Sequence, residues 1–369
     1  MRFRRSRCLM CYWYDGQFVL HPYPAGTPVT VHPVASEILS AFEDWSNVEQ
    51  AAKTLDHLTR ETVDEAARTL FDAGALVAED TPEAERDARV HHDWGAWTPE
   101  ASFFHYAVQD VYDDVPFAEE PVLVEPVGLP AMFTGYPDVP RLPLPRRPAD
   151  LRAPYERVLY RRRTHRDFSP DPVPLDVLAA LMATVFGPVD FIDSGQGPVF
   201  RRTSPQGGAR QEIDAYLGVL NVSDLDPGWY HYNALQHSLE LLTEGFTGQE
   251  AGYLCADQDW CRDAAFLVVL AARLERMSVK YRAPRTYRAC LLDAGHLGQT
   301  FALTATALGL GPAQTAAFRD SAIAERCRLD NTGRTPLYVL ASGSPHLDPQ
   351  NLPSPTTPAT WRDITLSAP

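Results

Sequence analysis

Two neighbouring side chains, Lys280 and Tyr281, form the pair in this sequence that is best suited to moving protons. They stand among Arg282, Arg285 and Arg288, so the local charge is strongly positive. A phenol beside ammonium and guanidinium groups can accept and return a proton, because nearby positive charge favours its ionised form. The pair therefore predicts a site of acid–base chemistry.

A basic run precedes this pair by more than a hundred residues. The segment from Arg161 to Arg166 contains four arginines, Thr164 and His165. Guanidinium groups match the geometry of phosphate oxygens, and a hydroxyl adds a neutral donor. Basic runs also occur on solvated faces, but the prolines that follow at Pro170 and Pro172 fix the next turn. The run is a candidate phosphate site.

A third candidate is the loop Ser204-Pro205-Gln206-Gly207-Gly208-Ala209. Two adjacent glycines let a backbone come close to a flat ligand. The loop matches neither a P-loop nor the dinucleotide-binding glycine pattern, and taken alone it predicts a turn.

Two arrangements resemble parts of metal sites. Cys8 and Cys11 form a CxxC without a matching second pair, and Asp293 lies one helical turn from His296. Neither has further ligands at a suitable spacing, so we interpret all four as structural residues.

One long helix must position these candidates. Small and apolar residues recur at steps of three and four and form one face, which another helix backbone could approach closely. Gly309 is placed to end the helix. The residues of this face are Leu291, Ala294, Gly295, Gly298, Phe301, Ala302, Ala305 and Leu308.

The first 80 residues predict a separate module. A hairpin turning at Asp15-Gly16 is followed by three helices and a short strand, which is the order of a winged helix. The third helix carries more acidic than basic residues, unlike a DNA reader. We therefore expect peptide binding or dimerisation, and favour neither.

Four regions are predicted along the chain. They are the winged-helix-like module (1–80), a proline-rich wrapping linker (81–154), an α+β domain (155–345) and a proline-rich tail (346–369). His105, in the linker, could approach the site, although a histidine among aromatic residues is more often part of the packing.

Composition excludes several classes. The net charge is −15, and residues 1–150 hold 12 Lys/Arg against 25 Asp/Glu, which argues against a nucleic-acid partner. No segment predicts a signal peptide or a membrane span. Six cysteines in 369 residues are too few for a disulfide framework and favour a reducing, cytoplasmic location.

The candidate segments, in this order, resemble the nitroreductase-like flavoproteins and, within them, the SagB-type dehydrogenases. The resemblance covers about residues 155–345, and residues 1–80 look like the winged-helix, PqqD-like modules of some members. The matching segments are RRRTHRDFSPDPVPLDVLAALM, PQGGARQEIDAY, DPGWYHYNALQHSLELL, SVKYRAPRTYRACLLDAGHLGQTFALTATALGLGPAQTAAF and PLYVLASGSP.

The resemblance implies a central mixed sheet flanked by helices, and FMN bound at an intertwined homodimer interface. By position, Arg162, Arg163, Thr164 and Arg166 would hold the FMN phosphate. The loop of Pro205, Gln206, Gly207 and Gly208 would approach the isoalloxazine ring from the other subunit, with Gln206 replacing the family's serine. Gln314, Thr315, Ala316 and Ala317 would run along the ring near its reactive edge.

SagB-type enzymes oxidise thiazolines and oxazolines in ribosomally made peptides to thiazoles and oxazoles, and Lys280-Tyr281 matches their catalytic pair. We hypothesise that one member of this pair removes a ring proton: either Tyr281 as the phenolate, which the Lys280 charge would favour, or Lys280 itself. Hydride would pass to the flavin, and dioxygen would reoxidise it. The expected partners are a precursor peptide and a cyclodehydratase. The alternatives are a general NAD(P)H-dependent nitro or quinone reductase and a non-catalytic flavin-domain scaffold in a peptide-modifying complex.

Overall fold

The computed structural model describes residues 1–24, 26–111, 130–146, 151–193 and 198–346. The chain divides into two compact units, Met1–Tyr112 and Asp113–Pro369. Among the described residues, no helix combines the length and apolar content needed to cross a bilayer.

The described residues of the first unit form two small sheets and five helices. Strands β2, β3 and β4 form an antiparallel sheet, and β1 pairs with β5. The predicted hairpin is confirmed, with Asp15 and Gly16 in the left-handed conformation. The elements are β1 (Phe3–Arg5), β2 (Leu9–Tyr14), β3 (Gln17–Pro22), β4 (Val29–Val31), α1 (Ala35–Ala41), α2 (Val48–Thr54), α3 (Arg60–Asp72), β5 (Leu76–Ala78), α4 (Pro82–Asp93) and α5 (Pro99–Ala107).

Part of the stretch predicted as a linker is folded. Helices α4 and α5 lie within it, each with proline in its first turn. Proline suits that position because its missing N–H would have no intrahelical partner there, so it starts these helices instead of preventing them. His105, in α5, packs against Trp94 and Tyr106 at ring-centroid distances of 5.0 and 4.9 Å. Residues 112–129 and 147–150 of the predicted linker, and 347–369 of the predicted tail, lie outside the described residues.

The second unit is built on a seven-stranded sheet with the order β13-β14-β12-β9-β10-β11-β6. Its elements are β6 (Arg141–Pro143), α6 (Tyr155–Arg161), α7 (Leu175–Phe186), β7 (Asp190–Asp193), β8 (Pro198–Arg201), β9 (Ile213–Val219), β10 (Gly228–Asn233), β11 (Ser238–Glu244), α8 (Gly248–Leu254), β12 (Phe266–Arg273), α9 (Glu275–Ser278), α10 (Thr286–Ala307), β13 (Gly311–Thr315), α11 (Asp320–Arg326) and β14 (Arg334–Gly343).

The predicted α+β class is confirmed. The strand directions differ from those of the mixed sheet that was predicted, which would contain parallel as well as antiparallel strands. Every ladder between its described strands is antiparallel. Strands β9, β10 and β11 follow one another as hairpins, which imposes this direction. The edge strand β6 comes from the stretch predicted as a linker and pairs with β11.

Side chains alternate between the two faces of the central strands, and both faces are buried. On β9, Ala215 and Leu217 alternate with Tyr216 and face α7 and α10. Tyr216 faces the opposite side, where α8 and α11 complete a second apolar cluster. Each large apolar side chain buried in this way stabilises the fold by roughly 1.5–3 kcal/mol. The sheet is therefore a rigid support for the loops at its ends.

Helix α10 is the predicted long helix, and Gly309, with a φ of 81°, follows its end. The predicted face packs in part against another helix, α7, but one of its small residues has a different neighbour. A Cβ at Gly298 would lie 2.9 Å from the Tyr338 ring of β14, so this glycine admits a side chain from the sheet. Leu291 is 44% exposed, and Gly295 is also exposed. Leu291 and Gly295 of the predicted face are thus uncovered in the single chain, whereas Ala294, between them, is 3% exposed.

Candidate active site

Lys280 and Tyr281 lie on the short connection between α9 and α10. The backbone N–H groups of both donate to the Met277 carbonyl, at 3.1 and 2.9 Å, which holds the pair in one turn. The Lys280 Nζ lies 5.1 Å from the centroid of the Tyr281 ring. Lys280 is exposed and Tyr281 is half-buried. The ammonium group thus lies over the face of the aromatic ring, where a cation is attracted by the π electrons.

Gly208 lies directly against Tyr281. Its φ is 57°, and a Cβ there would be 2.3 Å from the Tyr281 hydroxyl oxygen. Any larger residue would therefore suffer both backbone strain and a clash with the phenol. The structure brings the predicted glycine loop and the predicted base together within one chain.

The rest of the glycine loop is tied to α10. The Gly207 N–H donates to Asp293 Oδ2 at 2.8 Å, and the hydroxyls of Ser204 and Thr300 are 2.6 Å apart. Gln206 Oε1 accepts from Arg202 at 3.3 Å, whereas its buried Nε2 has no hydrogen-bond partner among the described residues. A buried amide donor without a partner is costly, so this group is available to a ligand.

The basic run is attached to β13 and not to the glycine loop. The His165 N–H donates to the Pro312 carbonyl at 2.9 Å, and a Cβ at Gly311 would lie 2.8 Å from the His165 ring. Burial, with a smaller effect of the Arg163 charge, lowers the pKa of His165. Thr164 and Arg166 are exposed.

The arginines of this run are not used to hold the fold. Within the described part of the chain, the guanidinium groups of Arg162, Arg163 and Arg166 make no hydrogen bond or ion pair. Arg162 and Arg163 are half-buried. Charged groups held partly out of water without a partner favour an anion at this position.

The third predicted segment begins in the last two residues of the edge strand β13 and continues beyond it. The Gln314 side chain donates to the Gly298 carbonyl at 2.5 Å and accepts from the Tyr338 hydroxyl at 2.8 Å. The Thr315 hydroxyl accepts from Gln258 and from the Ala317 N–H, both at 3.0 Å. Both side chains are therefore committed to the fold, and the exposed Ala316 and Ala317 are the parts that a ligand could meet.

Two of these contacts lie on the same helix. Asp293 holds the glycine loop and Gly298 holds Gln314, and five residues of helix separate them by about 7.5 Å along the axis. Helix α10 thus fixes the spacing between two segments that are predicted to contact the flavin. Sequence reasoning could not derive this spacing.

A buried ion pair supports the start of the catalytic connection. Arg276, on α9 and 2% exposed, donates to Asp214 Oδ1 at 2.8 Å and to the carbonyls of Gln211 and Ala131, both at 3.0 Å. Burial would raise the pKa of Asp214, but the positive charges of Arg276 and His231 outweigh it and lower that pKa. Arg276 stands at the front of the long-helix segment, but nothing in its sequence context distinguishes it from its exposed arginine neighbours.

The sequence model of the nitroreductase family matches residues 159–344, which is half of the chain. The chain belongs to the nitroreductase family. The segments of the candidate site, from Arg162 to Ala317, all lie inside the matched region.

Within this family, several relatives are similar to the chain. A protein of Methanocaldococcus jannaschii named as a nitroreductase, MJ1384, is 29% identical over 46% of this chain and 82% of its own length. The trifolitoxin-processing protein TfxB of Rhizobium leguminosarum is 29% identical over 44% of each chain. A crystal structure described as a nitroreductase from Anabaena variabilis has a TM-score of 0.54 and 24% identity, covering 66% of this chain and 47% of that one.

These relatives differ in extent from the chain. It spans less than half of the length of TfxB and of the Anabaena protein. The likeness to the Anabaena structure shows the shared fold.

Proposed function

We propose that this nitroreductase-family chain is an FMN-dependent dehydrogenase. It oxidises thiazoline and oxazoline rings of a ribosomally synthesised peptide to thiazoles and oxazoles. The observation that carries the proposal is the contact of the Tyr281 phenol with Gly208, which belongs to a loop that fits a flat cofactor. The Lys280 ammonium lies over the ring of the same phenol. The relationship to a trifolitoxin-processing protein supports a peptide substrate.

The residues present fit FMN. Arg162, Arg163 and Arg166 supply unpaired positive charge for its phosphate, and Thr164 supplies an exposed hydroxyl. The unpartnered Gln206 Nε2 is a donor in place of the hydroxyl that the SagB-type loop carries. When bound, FMN supplies a hydride acceptor, which dioxygen returns to the oxidised form.

The chain's own residues would act on the other hydrogen. Conversion of an azoline to an azole removes two hydrogens, one as a proton and one as a hydride. Tyr281, as the phenolate, takes the ring proton, and the Lys280 ammonium stabilises the negative charge of that phenolate. Aromatisation drives the reaction, so no nicotinamide is required.

The purified protein tests this proposal directly. It should be yellow and should convert azoline peptides under air without nicotinamide. Tyr281→Phe and Lys280→Ala should retain flavin and lose about 10²–10⁴-fold in turnover, the range for a general base. Tyr253→Phe, at an exposed tyrosine of α8, is the matched control and should be unaffected. Unchanged turnover in Tyr281→Phe would remove the assignment of the base.

Family membership favours a second candidate, a general nitro or quinone reductase fed by NAD(P)H. NADPH would then bleach the flavin, and a nitroarene would restore its colour. Oxidation of azolines without NADPH would exclude this as the main activity. A colourless protein that takes up no FMN would contradict both candidates and favour a scaffold.

We also propose that the enzyme is a homodimer in the cytoplasm that works with a cyclodehydratase. The uncovered end of α10 supports the dimer, since Tyr287, Leu291 and Leu292 are 41%, 44% and 63% exposed. Exposed apolar groups on one helix favour a partner surface. Sedimentation of the protein and of Leu292→Glu tests this: a monomeric wild type would exclude the dimer.

A further inference from the structure

One carboxylate fixes the loop that touches the proposed base. Asp293, 3% exposed on α10, accepts the Gly207 N–H at 2.8 Å. Gly208, the next residue, lies against the Tyr281 hydroxyl. A displacement of Asp293 would thus be transmitted through Gly207 and Gly208 to the Tyr281 phenol.

A second carboxyl lies behind the first and is fully buried. Glu212, 0% exposed, lies beside Asp293, and neither of its oxygens has a hydrogen-bond partner among the described residues. Two ionised carboxylates cannot lie together in a buried site without a large cost. If Glu212 carries a proton, its O–H can donate to Asp293, which gives one of the two orphaned oxygens a partner and removes the repulsion.

The groups around Glu212 and Asp293 agree with a single proton shared between the two carboxyls. Burial, followed by the negative charge of Asp293, raises the pKa of Glu212 to about 8. Cys290, on the same helix, has its pKa raised to about 12 by burial and by both carboxyls. Arg202, which follows β8, lowers the pKa of Glu212, but its effect is smaller than those of burial and of the Asp293 charge. His296 Nδ1 is 3.4 Å from Asp293 Oδ1 on the solvent side.

We propose that Glu212 and Asp293 share one proton, and that this proton holds the Gly207–Gly208 loop in place against Tyr281. Both are positioning residues, because they act through the loop. The effect on catalysis rests on the proposed role of Tyr281, whereas the shared proton does not. Loss of the proton would leave two negative charges together and release the loop.

The Gly207 amide reports the state of the pair without any substrate. Labelling glutamine carbonyls with ¹³C and glycine amides with ¹⁵N selects glycines that follow a glutamine, which are Gly207 and one other in this sequence. In the full-length protein, the Gly207 signal should shift with pH around a midpoint near 8. In Glu212→Gln the shift should vanish, because the amide donates to Asp293 at every pH.

Two further variants keep the test decisive. Asp293→Asn should move the titration to lower pH, since the neighbouring negative charge is gone. His296→Gln should leave the titration in place. A Gly207 signal that does not respond to pH in the wild type, a titration that persists in Glu212→Gln, or one abolished by His296→Gln would each overturn the proposal.

Turnover measurements test the positioning role of Glu212. Glu212→Gln should stay within about twofold of the wild type at pH 7 and lose the decline above pH 8, while Glu212→Ala should fall about tenfold with flavin retained. A Glu212→Gln profile identical to that of the wild type would overturn the positioning role. If no azoline is oxidised and the amide still titrates, the proposed function fails and the shared proton stands.

Discussion

The phenol oxygen of Tyr281 and the α-carbon of Gly208 are so close that a single methyl group between them would lie 2.3 Å from the oxygen. The proposed base and the proposed cofactor loop are therefore not independent parts of the site. A change in either one moves the other, and this coupling can be measured.

Gly208→Ala should reduce turnover far more than it reduces stability. The left-handed φ costs about 1–2 kcal/mol for an alanine, and the clash adds displacement of Tyr281. Gly245→Ala is the control, because Gly245 also has a positive φ but no atom within 4 Å of its Cβ position. Urea unfolding should show the loss from backbone strain in both variants and an added loss from the clash in Gly208→Ala, with turnover falling at least tenfold in Gly208→Ala alone. Equal activity in the two variants would contradict the coupling.

Arg276→Met should destabilise the second unit by about 3–5 kcal/mol, because Asp214 is left buried without its partner. The matched control is Arg319→Met, which breaks a solvent-screened Arg–Asp pair and should change the free energy of unfolding far less. Chemical unfolding monitored by tryptophan fluorescence measures both.

The Arg276–Asp214 ion pair also predicts how the stability of the protein changes in acid. The pKa of Asp214 is lowered, so its contribution is present above the ordinary value of 3.8 and is lost as pH falls through the folded-state value. The stability difference between wild type and Arg276→Met should therefore shrink in acid. A difference that stays constant down to complete unfolding would show that the ion pair is not its source.

Glu212→Gln should stabilise the protein increasingly between pH 4.5 and about 8. A carboxyl whose pKa is raised by folding does not lower stability below its ordinary pKa, because it is protonated in both the folded and the unfolded protein. Above that pH its destabilising effect grows until the pH reaches the folded-state pKa. Glu244→Gln, at an exposed end of β11, should show no such trend. Thermal unfolding at several pH values compares the two, and parallel curves would contradict a raised pKa.

The N-terminal module should be removed at residue 112 and not at 80. Asp87, on α4, accepts from Arg4 at 2.7 Å and from Ser6 at 2.6 Å, so a cut at 80 leaves a buried carboxylate without its partners. If the module binds the substrate peptide, deletion of 1–112 should weaken peptide affinity while flavin content is retained. Unchanged affinity with a changed oligomeric state would favour the dimerisation role instead.

Sequence reasoning was most successful where the pattern is local. The hairpin at Asp15-Gly16 and the end of α10 at Gly309 follow from turn chemistry and capping. The reasoning also singled out Lys280-Tyr281 and the glycine loop, two segments that the structure brings into contact.

The remainder depends on contacts between distant segments. Glu212 is an ordinary carboxylate ahead of an apolar strand, and its importance comes from Asp293, 81 positions later. Gly298 was read as a place for another helix, but its neighbour is a tyrosine ring from β14. The predicted linker began at residue 81, but helices α4 and α5 start at Pro82 and Pro99, where proline is favourable in the first turn.

The hydrogen bond from Arg276 to the Ala131 carbonyl has a consequence for how the chain folds. It closes a loop of 145 residues, and Thr134 in the same segment donates to Asp214. Contacts so distant in sequence form slowly, because the entropy of closing the loop is lost before the contact is gained. The segment around Ala131 should therefore dock last, and amide exchange during refolding should find it protected only after the central strands.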